Sequence, residues 1–375
     1  MTATAEQHDE PTPLETKLVE LIEEHGPIRI GDYMTDALSH PQYGYYTSQD
    51  PFGAGGDFTT SPEISQVFGE LVGSWLIHAW EEMGGPSAFN LVELGPGRGT
   101  LMADILRVAK IRPRFLDAVH VFMVESSGRL RYQQKRLLAD TGVRITWADR
   151  LEDVPPGPIL VVANEFFDCL PIRQFVRTTD RDDRPWRERL VGVTETRPRK
   201  LAFVLSEARF GDQPGMPPGA QPESVFESCA TAQELIAEIA HRLRDQKGRA
   251  LIIDYGHGRS GYGDTLQAMK GHAPWPVLEK PGLADVTAHV DFGALARCAR
   301  QHDVRTDGPI RQADFLERLG IHLRVEAVER NLGDDDKRAD FRAGAQRLVD
   351  RNGMGSLFKV LAISPKGGTA PPGFE

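Results

Sequence analysis

Leu91-Val-Glu-Leu-Gly-Pro-Gly-Arg-Gly-Thr100 decides the fold: a short apolar strand carrying an acid at Glu93 runs through glycines at 95, 97 and 99 into a helix. Gly95 and Gly97 let the backbone turn sharply and approach a ligand with no Cβ between. Leu101, Ile105 and Leu106 follow at helical spacing, continued by Val108 and Ala109. Strand, glycine turn and helix in that order read as a nucleotide pocket, although a turn that merely joins strand to helix has the same pattern. A dinucleotide fingerprint has its third glycine three residues after the second, where a pyrophosphate rests on the helix N-terminus. Here Thr100 holds that position, and the third glycine comes early, at Gly99. Glu93, two residues before the first glycine, aims a carboxylate into the mouth of the site, which suits a cation better than a pyrophosphate. S-adenosylmethionine carries a sulfonium and an ammonium and no phosphate.

From residue 91 onward strands and helices alternate: strand 91–94, helix 99–109, strand 119–124, helix 128–139, then strands 143–147 and 159–163. Such alternation predicts an α/β fold, a parallel sheet covered by helices, with ligands beyond the carboxyl ends of the strands. N-terminal to it, the spacing predicts a helix over 14–24 ended by Gly26-Pro27, and a short helical start at 28–34. An aromatic knot, Tyr43-Gly-Tyr-Tyr46, reads chiefly as packing, with one tyrosine free to face a ligand. A glycine-rich loop at 53–63 precedes a helix over 64–83, with Ser61 as its cap and Pro62 in its first turn. Residues 173–226 break the rhythm with strand-like pieces at 173–177, 189–193 and 201–205, an insertion hanging off the sheet and suited to partner selection. Regular structure resumes with a helix at about 228–245, a strand at 249–254 and a last strand at 356–363.

The bulk numbers exclude several classes. A chain of 375 residues with 40% hydrophobic content buries a sizeable core, and a net charge of −10 argues against a general nucleic-acid binder. No apolar run reaches the roughly 20 residues of a membrane helix, so no membrane insertion is expected. Cys169, Cys229 and Cys298 are scattered, with no Cys-x-x-Cys pair, which predicts a reducing compartment and no metal site. Acids in the first ten residues and the lack of an apolar core there lead to the expectation of a cytoplasmic protein.

Candidate site residues follow the strands. Glu125, one βαβ step beyond the glycine loop, is placed to accept both ribose hydroxyls of an adenosine. Asp149, after the next strand, either accepts from the adenine amino group or caps the turn toward Leu151. Backbone amides around Thr60 and Ser61 can hold a carboxylate such as the methionine end of the cofactor. Asn164-Glu-Phe-Phe-Asp168 puts an amide, two acids and two aromatics at the exit of a buried strand, a costly placement unless they have partners. Glu165 and Asp168 together can grip a guanidinium, while a helix cap at Asp168 with the phenylalanines as core is the structural alternative. Gly256-His-Gly-Arg-Ser-Gly261 is a literal GxGxxG, but only a short helical run at 265–270 follows it. It reads as a flexible loop, with Asp254 to His257 lining the site from that side. His289 is either a general base or a structural histidine, and Asp291 reads as the cap of a helix at 291–302.

With these residues assembled, the chain resembles the MidA family of S-adenosylmethionine-dependent methyltransferases, which includes a mitochondrial assembly factor of respiratory complex I. The matching stretches are Gly55-Gly-Asp-Phe-Thr-Thr-Ser-Pro-Glu-Ile64, Val92-Glu-Leu-Gly-Pro-Gly-Arg-Gly99, Asn164-Glu-Phe-Phe-Asp168 with Leu170-Pro171, and Ile253-Asp-Tyr-Gly256. Gly263-Asp-Thr-Leu-Gln267, Asp285-Val-Thr-Ala-His-Val-Asp-Phe292 and Gly353-Met-Gly-Ser-Leu-Phe-Lys359 continue the match. The resemblance implies a class I methyltransferase fold, Rossmann-like, with a seven-stranded sheet, S-adenosylmethionine as cofactor, and a protein arginine as methyl acceptor. In the mitochondrial relatives that acceptor is a subunit of the respiratory NADH dehydrogenase, complex I. Cys169 stands where a small residue, often alanine, is expected.

The domain organisation expected is an N-terminal helical extension and lid over the cofactor site at 1–88, a methyltransferase domain at 89–364 with its insertion, and a disordered tail at 365–375. Glu93, Gly95, Pro96, Gly97, Gly99, Thr100, Glu125, Asp149 and Asn164 are expected to hold the cofactor, with Thr60 and Ser61 covering its methionine end. Glu165 and Asp168, with His289, are expected to act on the acceptor. A non-catalytic assembly chaperone and a small-molecule methyltransferase are the competing functions, and the oligomeric state stays open.

Overall fold

A computed structural model describes residues 10–49, 60–178 and 183–375. Most of the glycine-rich loop at 53–63 and part of the charged loop at 180–189 lie outside the described residues.

Seven strands form the central sheet: β1 (Phe89–Leu94), β2 (Val119–Val124), β3 (Arg144–Ala148), β4 (Ile159–Asn164), β5 (Gly248–His257), β6 (Val304–Arg311) and β7 (Phe358–Pro365). Across the sheet they run β6-β7-β5-β4-β1-β2-β3. The first five in sequence are parallel, and β7 lies antiparallel between β5 and β6, with Leu251 opposite Ala362 and Thr306 opposite Ile363. A two-residue strand, Val290–Asp291, pairs in parallel with the end of β5. The α/β architecture expected from the alternation is present, with the seven-stranded sheet that the family resemblance implies.

Both faces of the sheet are covered because β1 and β4 are buried along their whole length. The helix Gln66–Glu82 packs Val67, Leu71, Trp75 and Leu76 with Leu101, Ile105 and Leu106 on one face. Ile236, Ile239 and Leu243 pack with Leu295 and Ala299 on the other. The chain leaves β1 toward β2 and β3, then returns to β4 on the opposite side of β1. A crevice opens at such a switch point, beyond the carboxyl ends of β1 and β4.

The helix expected at 64–83 is divided, because Ser65 is extended and its Oγ accepts from Val67 N at 3.3 Å. Ser65, not Ser61, caps the long helix, and Pro62 lies in the short helix Ser61–Ile64. The insertion does not hang free. Its strands Arg173–Arg177, Trp186–Val193, Leu201–Phe210 and Val225–Ser228 make a second, antiparallel sheet that Ile28–Arg29 joins, with Ile28 opposite Val191. Leu14, Leu18 and Ile22 of the helix Pro13–His25 cover it together with Tyr33 and Met34. The short helical run expected at 265–270 is instead the strand Gln267–Lys270, turned back on Ala273–Trp275 at Gly271 and His272. Both turn residues have positive φ, the geometry that a two-residue hairpin favours.

The expectation of a disordered tail is corrected. Pro371 and Gly373 are buried, Pro372 O accepts from Trp75 Nε1 at 3.1 Å, and Phe374 lies 5.4 Å from Phe315 ring to ring. An apolar ring and a proline carbonyl that meets an indole N–H anchor a segment whose composition alone reads as solvated. Phe374→Ala is expected to cost about 1–3 kcal/mol, below the roughly 3–5 kcal/mol of a fully buried aromatic truncation because this ring is only half-buried. Thermal unfolding followed by circular dichroism checks this, and an unchanged midpoint would show that the tail adds nothing.

Candidate active site

The glycine loop is built as its spacing requires. Gly95, Gly97 and Gly99 have φ of +60°, +52° and +87°, and a Cβ at Gly95 would stand 2.5 Å from Phe166 Cδ2. Side chains from neighbouring elements fix the loop. Gln134, fully buried, donates to Gly97 O at 2.7 Å and to Glu125 Oε2 at 3.3 Å, while its Oε1 accepts from Trp147 Nε1 at 2.7 Å. Thr100 Oγ1 donates to Glu63 Oε1 at 2.6 Å.

A pocket beside the loop gathers Thr60, Glu93, Gly95, Pro96, Gly97, Thr100, Asn164 and Glu165 from the expected set. Glu93 is buried, its Oε2 has no hydrogen-bond partner among the described residues, and burial together with the nearby Glu125 pushes its carboxyl well above the usual range. Glu125 stands one step away, with Oε1 accepting from Ser127 N at 2.8 Å. Asp149 is not brought to this pocket. Its carboxylate is 75% exposed and held by Arg131 at 2.6 Å, which also donates to Glu125 O and Ala148 O and so ties the ends of β2 and β3 together.

A second centre adjoins the first at the exit of β4. Asp254, at 0% exposure, accepts through Oδ2 from the backbone N–H groups of Phe166, Phe167 and Asp168 at 3.1, 2.9 and 3.3 Å, and through Oδ1 from Tyr255 N at 2.9 Å. Glu165, at φ +51°, is held in a region a side chain seldom occupies. Its Oε1 accepts from Ser61 N at 2.9 Å and Asn164 Nδ2 at 3.1 Å. Burial raises the Glu165 carboxyl to about 7 and the Asp168 carboxyl to about 6. Tyr255 donates its hydroxyl to Asp168 Oδ2, while Asp168 Oδ1 and Asn164 Oδ1 are buried without partners among the described residues. Carboxyls so placed are held short of a cation.

His289 lies across Tyr255, ring centroids 5.7 Å apart, and lines a cavity of about 380 Å³ that also reaches Phe167 and His257. Burial lowers its pKa, as do His257 and Lys359, so the ring is neutral at pH 7. Asp291 caps the helix Phe292–Gln301 as expected, accepting from Ala294 N at 2.8 Å. Of the stretch from Asp254 to His257 expected to line the site, His257 lines this cavity, while Asp254 is fully buried and holds the turn after β4. Gln134 and Glu63 are not among the residues the sequence singles out. For Gln134 a signal existed: an amide falls between Leu130 and Leu138 on the buried stripe of its helix.

A parallel sheet with an antiparallel β7, a glycine loop after β1 and an unmet buried acid beside it define an S-adenosylmethionine-dependent methyltransferase. Residues 71–310 match the family described as "Putative S-adenosyl-L-methionine-dependent methyltransferase". The protein arginine methyltransferase NDUFAF7, mitochondrial, of Mus musculus is 38% identical over 94% of this chain and 85% of its own length. Its Homo sapiens counterpart is 36% identical over 94% of this chain and 84% of its own. A crystal structure of a COG1565 superfamily member from Burkholderia thailandensis, bound to S-adenosyl-homocysteine, aligns with a TM-score of 0.80 at 25% identity, covering 97% of each chain. The chain belongs to this methyltransferase family, the one whose motifs it carries, and S-adenosylmethionine is its cofactor. The expectation of a cytoplasmic location is overturned, since the curated relatives are named mitochondrial. Acids near a terminus are a poor guide to the compartment of a folded domain.

The raised carboxyls carry a stability cost with a definite sign. The folded state keeps the Glu165 proton up to about pH 7, whereas the unfolded chain releases it near 4.5, so stability contributed by this group falls as pH rises through that window. Glu165→Gln is therefore expected to raise the thermal midpoint at pH 8 by roughly 2–4 °C and to change it little at pH 4.5. Scanning the midpoint of both proteins across pH checks it; parallel curves would show that Glu165 is not the titrating group.

Proposed function

We propose that this chain methylates an arginine side chain of a protein, and that Glu165 and Asp168 hold the guanidinium. The observation that carries the reading is the pair of buried acids at the exit of β4, beside the glycine loop and with a buried oxygen of Asp168 lacking a partner among the described residues. The printed names of the curated relatives support the same acceptor. The family resemblance points to a subunit of the respiratory NADH dehydrogenase as the protein that carries it.

The residues fit the cofactor, because the partnerless buried oxygen of Glu93 suits its cationic end and the glycine turn admits close approach. Glu93, Asn164 and the loop from Gly95 to Thr100 would hold it, with Glu125 at the ribose and Thr60 and Ser61 over the methionine end. S-adenosylmethionine supplies a methyl group on a positively charged sulfur. The remaining work falls to the chain's own side chains. Glu165 and Asp168 accept N–H bonds from two edges of the guanidinium, which orients it and localises its lone pair on the third nitrogen. Tyr255 fixes Asp168, and Ser61 N with Asn164 fixes Glu165, so the grip is formed before the acceptor arrives. His289, neutral on the cavity wall, is the base available for the proton that methylation releases.

Glu165→Gln is expected to lower kcat at least a hundredfold while the cofactor Kd, measured by calorimetry, moves less than threefold; equal losses in both would make Glu165 a cofactor ligand. Because the grip needs charged carboxylates, acceptor binding is expected to weaken as pH falls through about 7 and then 6. Peptide affinity against pH reads this directly. Mass spectrometry of methylated arginines in cells with and without the protein tests the acceptor, looking first at NADH dehydrogenase subunits; no site-specific difference would weaken the arginine reading. A chaperone without catalysis predicts instead that Gly97→Val abolishes cofactor binding yet still complements a deletion, and a small-molecule enzyme predicts turnover with free amines or guanidines and none with proteins.

A further inference from the structure

The cavity of about 380 Å³ begins at Phe167 and His289, next to the acid pair, and runs outward between the insertion and the helix Phe292–Gln301. Its floor is apolar, with Ile172, Phe226 and Leu295. Two acids stand on its wall and both are occupied. Glu227 Oε1 accepts from Gln174 Nε2 at 2.7 Å and Thr265 N at 2.9 Å, and its Oε2 accepts from Thr265 Oγ1. Asp291 Oδ1 takes Ala294 N, and its Oδ2 takes Ser260 Oγ and lies 3.8 Å from His257 Nε2. The fully exposed charged side chains at the opening are arginines.

Arg259 and Arg297 line the outer end of this cavity and also a second one beside it, to which Arg300 contributes. Arg297 donates to Ser260 Oγ at 2.7 Å and Arg300 to Thr306 Oγ1 at 2.8 Å, both neutral acceptors. All three side chains are exposed, and among the described residues none forms an ion pair with a carboxylate. On a chain of net charge −10, three exposed guanidinium groups without a direct ion pair, at the mouth of a cavity whose inner end is lined by Phe167 between the two acids, make a local field of the opposite sign.

We propose that this surface docks an acidic segment of the protein substrate next to the acceptor arginine, with Arg259, Arg297 and Arg300 pairing its Asp and Glu side chains while the intervening backbone lies in the cavity. The proposal rests on the protein-arginine reading and extends it to sequence context. Guanidinium groups favour carboxylates through paired N–H bonds, and an exposed rim of this kind sets encounter rate and orientation more than final affinity. The two ends of the site then read opposite charges. Acids at the inner end take the substrate's arginine, and bases at the outer end take its acids, which fixes the direction in which the segment lies. Phosphates of a nucleic acid would be repelled by Glu165 and Asp168 beyond the inner end, so a polypeptide is the occupant that suits both.

The test uses the full chain with S-adenosyl-homocysteine added and fluorescent peptides of one arginine flanked by Asp/Glu, by Ser/Gly, or by Lys. Anisotropy is expected to show the acidic peptide binding at least tenfold more tightly than the neutral one at low salt, with the difference shrinking as salt rises. The double variant Arg259→Glu/Arg297→Glu is expected to lose that preference and shift toward the Lys-flanked peptide. In methyl-transfer assays its KM for the acidic peptide should rise about tenfold with kcat within twofold, and its thermal midpoint should stay that of the wild type. Equal binding of acidic and neutral peptides, a preference that survives the double substitution, or tighter binding of a single-stranded oligonucleotide than of the acidic peptide would each overturn the proposal. If acidic peptides bind through Arg259 and Arg297 but no arginine peptide is methylated, the acceptor reading fails and the docking surface stands.

Discussion

The site depends on one buried carboxylate that touches nothing but backbone. Asp254 binds three consecutive N–H groups at the turn that follows β4, and a fourth in its own strand. A turn whose donors all point inward has to find an acceptor there or leave unpaired N–H groups in a place water does not reach. Asp254 supplies it from the adjacent strand, β5, where Ile253 O also accepts from Glu165 N at 3.0 Å. The two strands thus fix the positions of Glu165 and Asp168 relative to each other. Burial and the charges of Asp168 and Glu165 raise the Asp254 carboxyl well above its usual range, against the pull of the backbone donors.

A comparison of acids withdrawn from water shows what separates structure from function here. Glu70 sits at 2% exposure in the long helix, and burial alone would raise its pKa, but Arg324 and Arg107 bind it from two directions and hold it below the ordinary value. Its charge is answered within the fold. Glu93 and Asp168 are buried and Glu165 is half-buried, with no cationic side chain hydrogen-bonded to them among the described residues, and all three are raised. Placing like charges together without a counter-ion costs stability, and in the proposed function the ligands supply the answering charges. On that proposal one cation belongs at the glycine loop and one at the exit of β4, and a methyl transfer from a sulfonium to a guanidinium brings both.

Much of this was legible before the coordinates, and the reason lies in which interactions are local. The glycine loop, six of the seven strands of the sheet and the acids at strand ends follow from periodicity and turn chemistry, which neighbours in sequence determine, whereas Val304–Arg311 is not read from the pattern. Gln134, Glu63 and Asp254 act across 37, 37 and 86–88 residues of chain, and no window of sequence contains both partners. Helices Gln312–Arg318, Ile321–Glu329 and Asp335–Val349 left little trace for a related reason. In the last of them only Ala345, Leu348 and Val349 are buried, too few to mark a stripe against its run of acids and arginines. Asp149 shows the opposite case: its place after β3 matches the pattern, but its carboxylate is exposed and paired with Arg131.

The insertion and the N-terminal segment are parts of one construction, which gives the outer wall its rigidity. Ile28–Arg29 closes onto Trp186–Val193, and Leu14, Leu18 and Ile22 fill the groove behind, so the second sheet has a core of its own. Gln174 on that sheet reaches both Glu227 and Asp264, at 2.7 and 2.8 Å, and Arg189 reaches Asp264 at 2.6 Å. These bonds pin the loop after β5 to the second sheet. That loop is the literal GxGxxG at 256–261, and it carries Arg259 and Ser260 to the cavity mouth. Its glycines let the chain leave β5 and cross to the insertion, and Gly256 is so close to Val290 that a Cβ would stand 2.1 Å from its carbonyl oxygen. In the proposed function the methyltransferase sheet positions the cofactor, and the second sheet, joined to it through this loop, is the wall along which a macromolecular acceptor would be read.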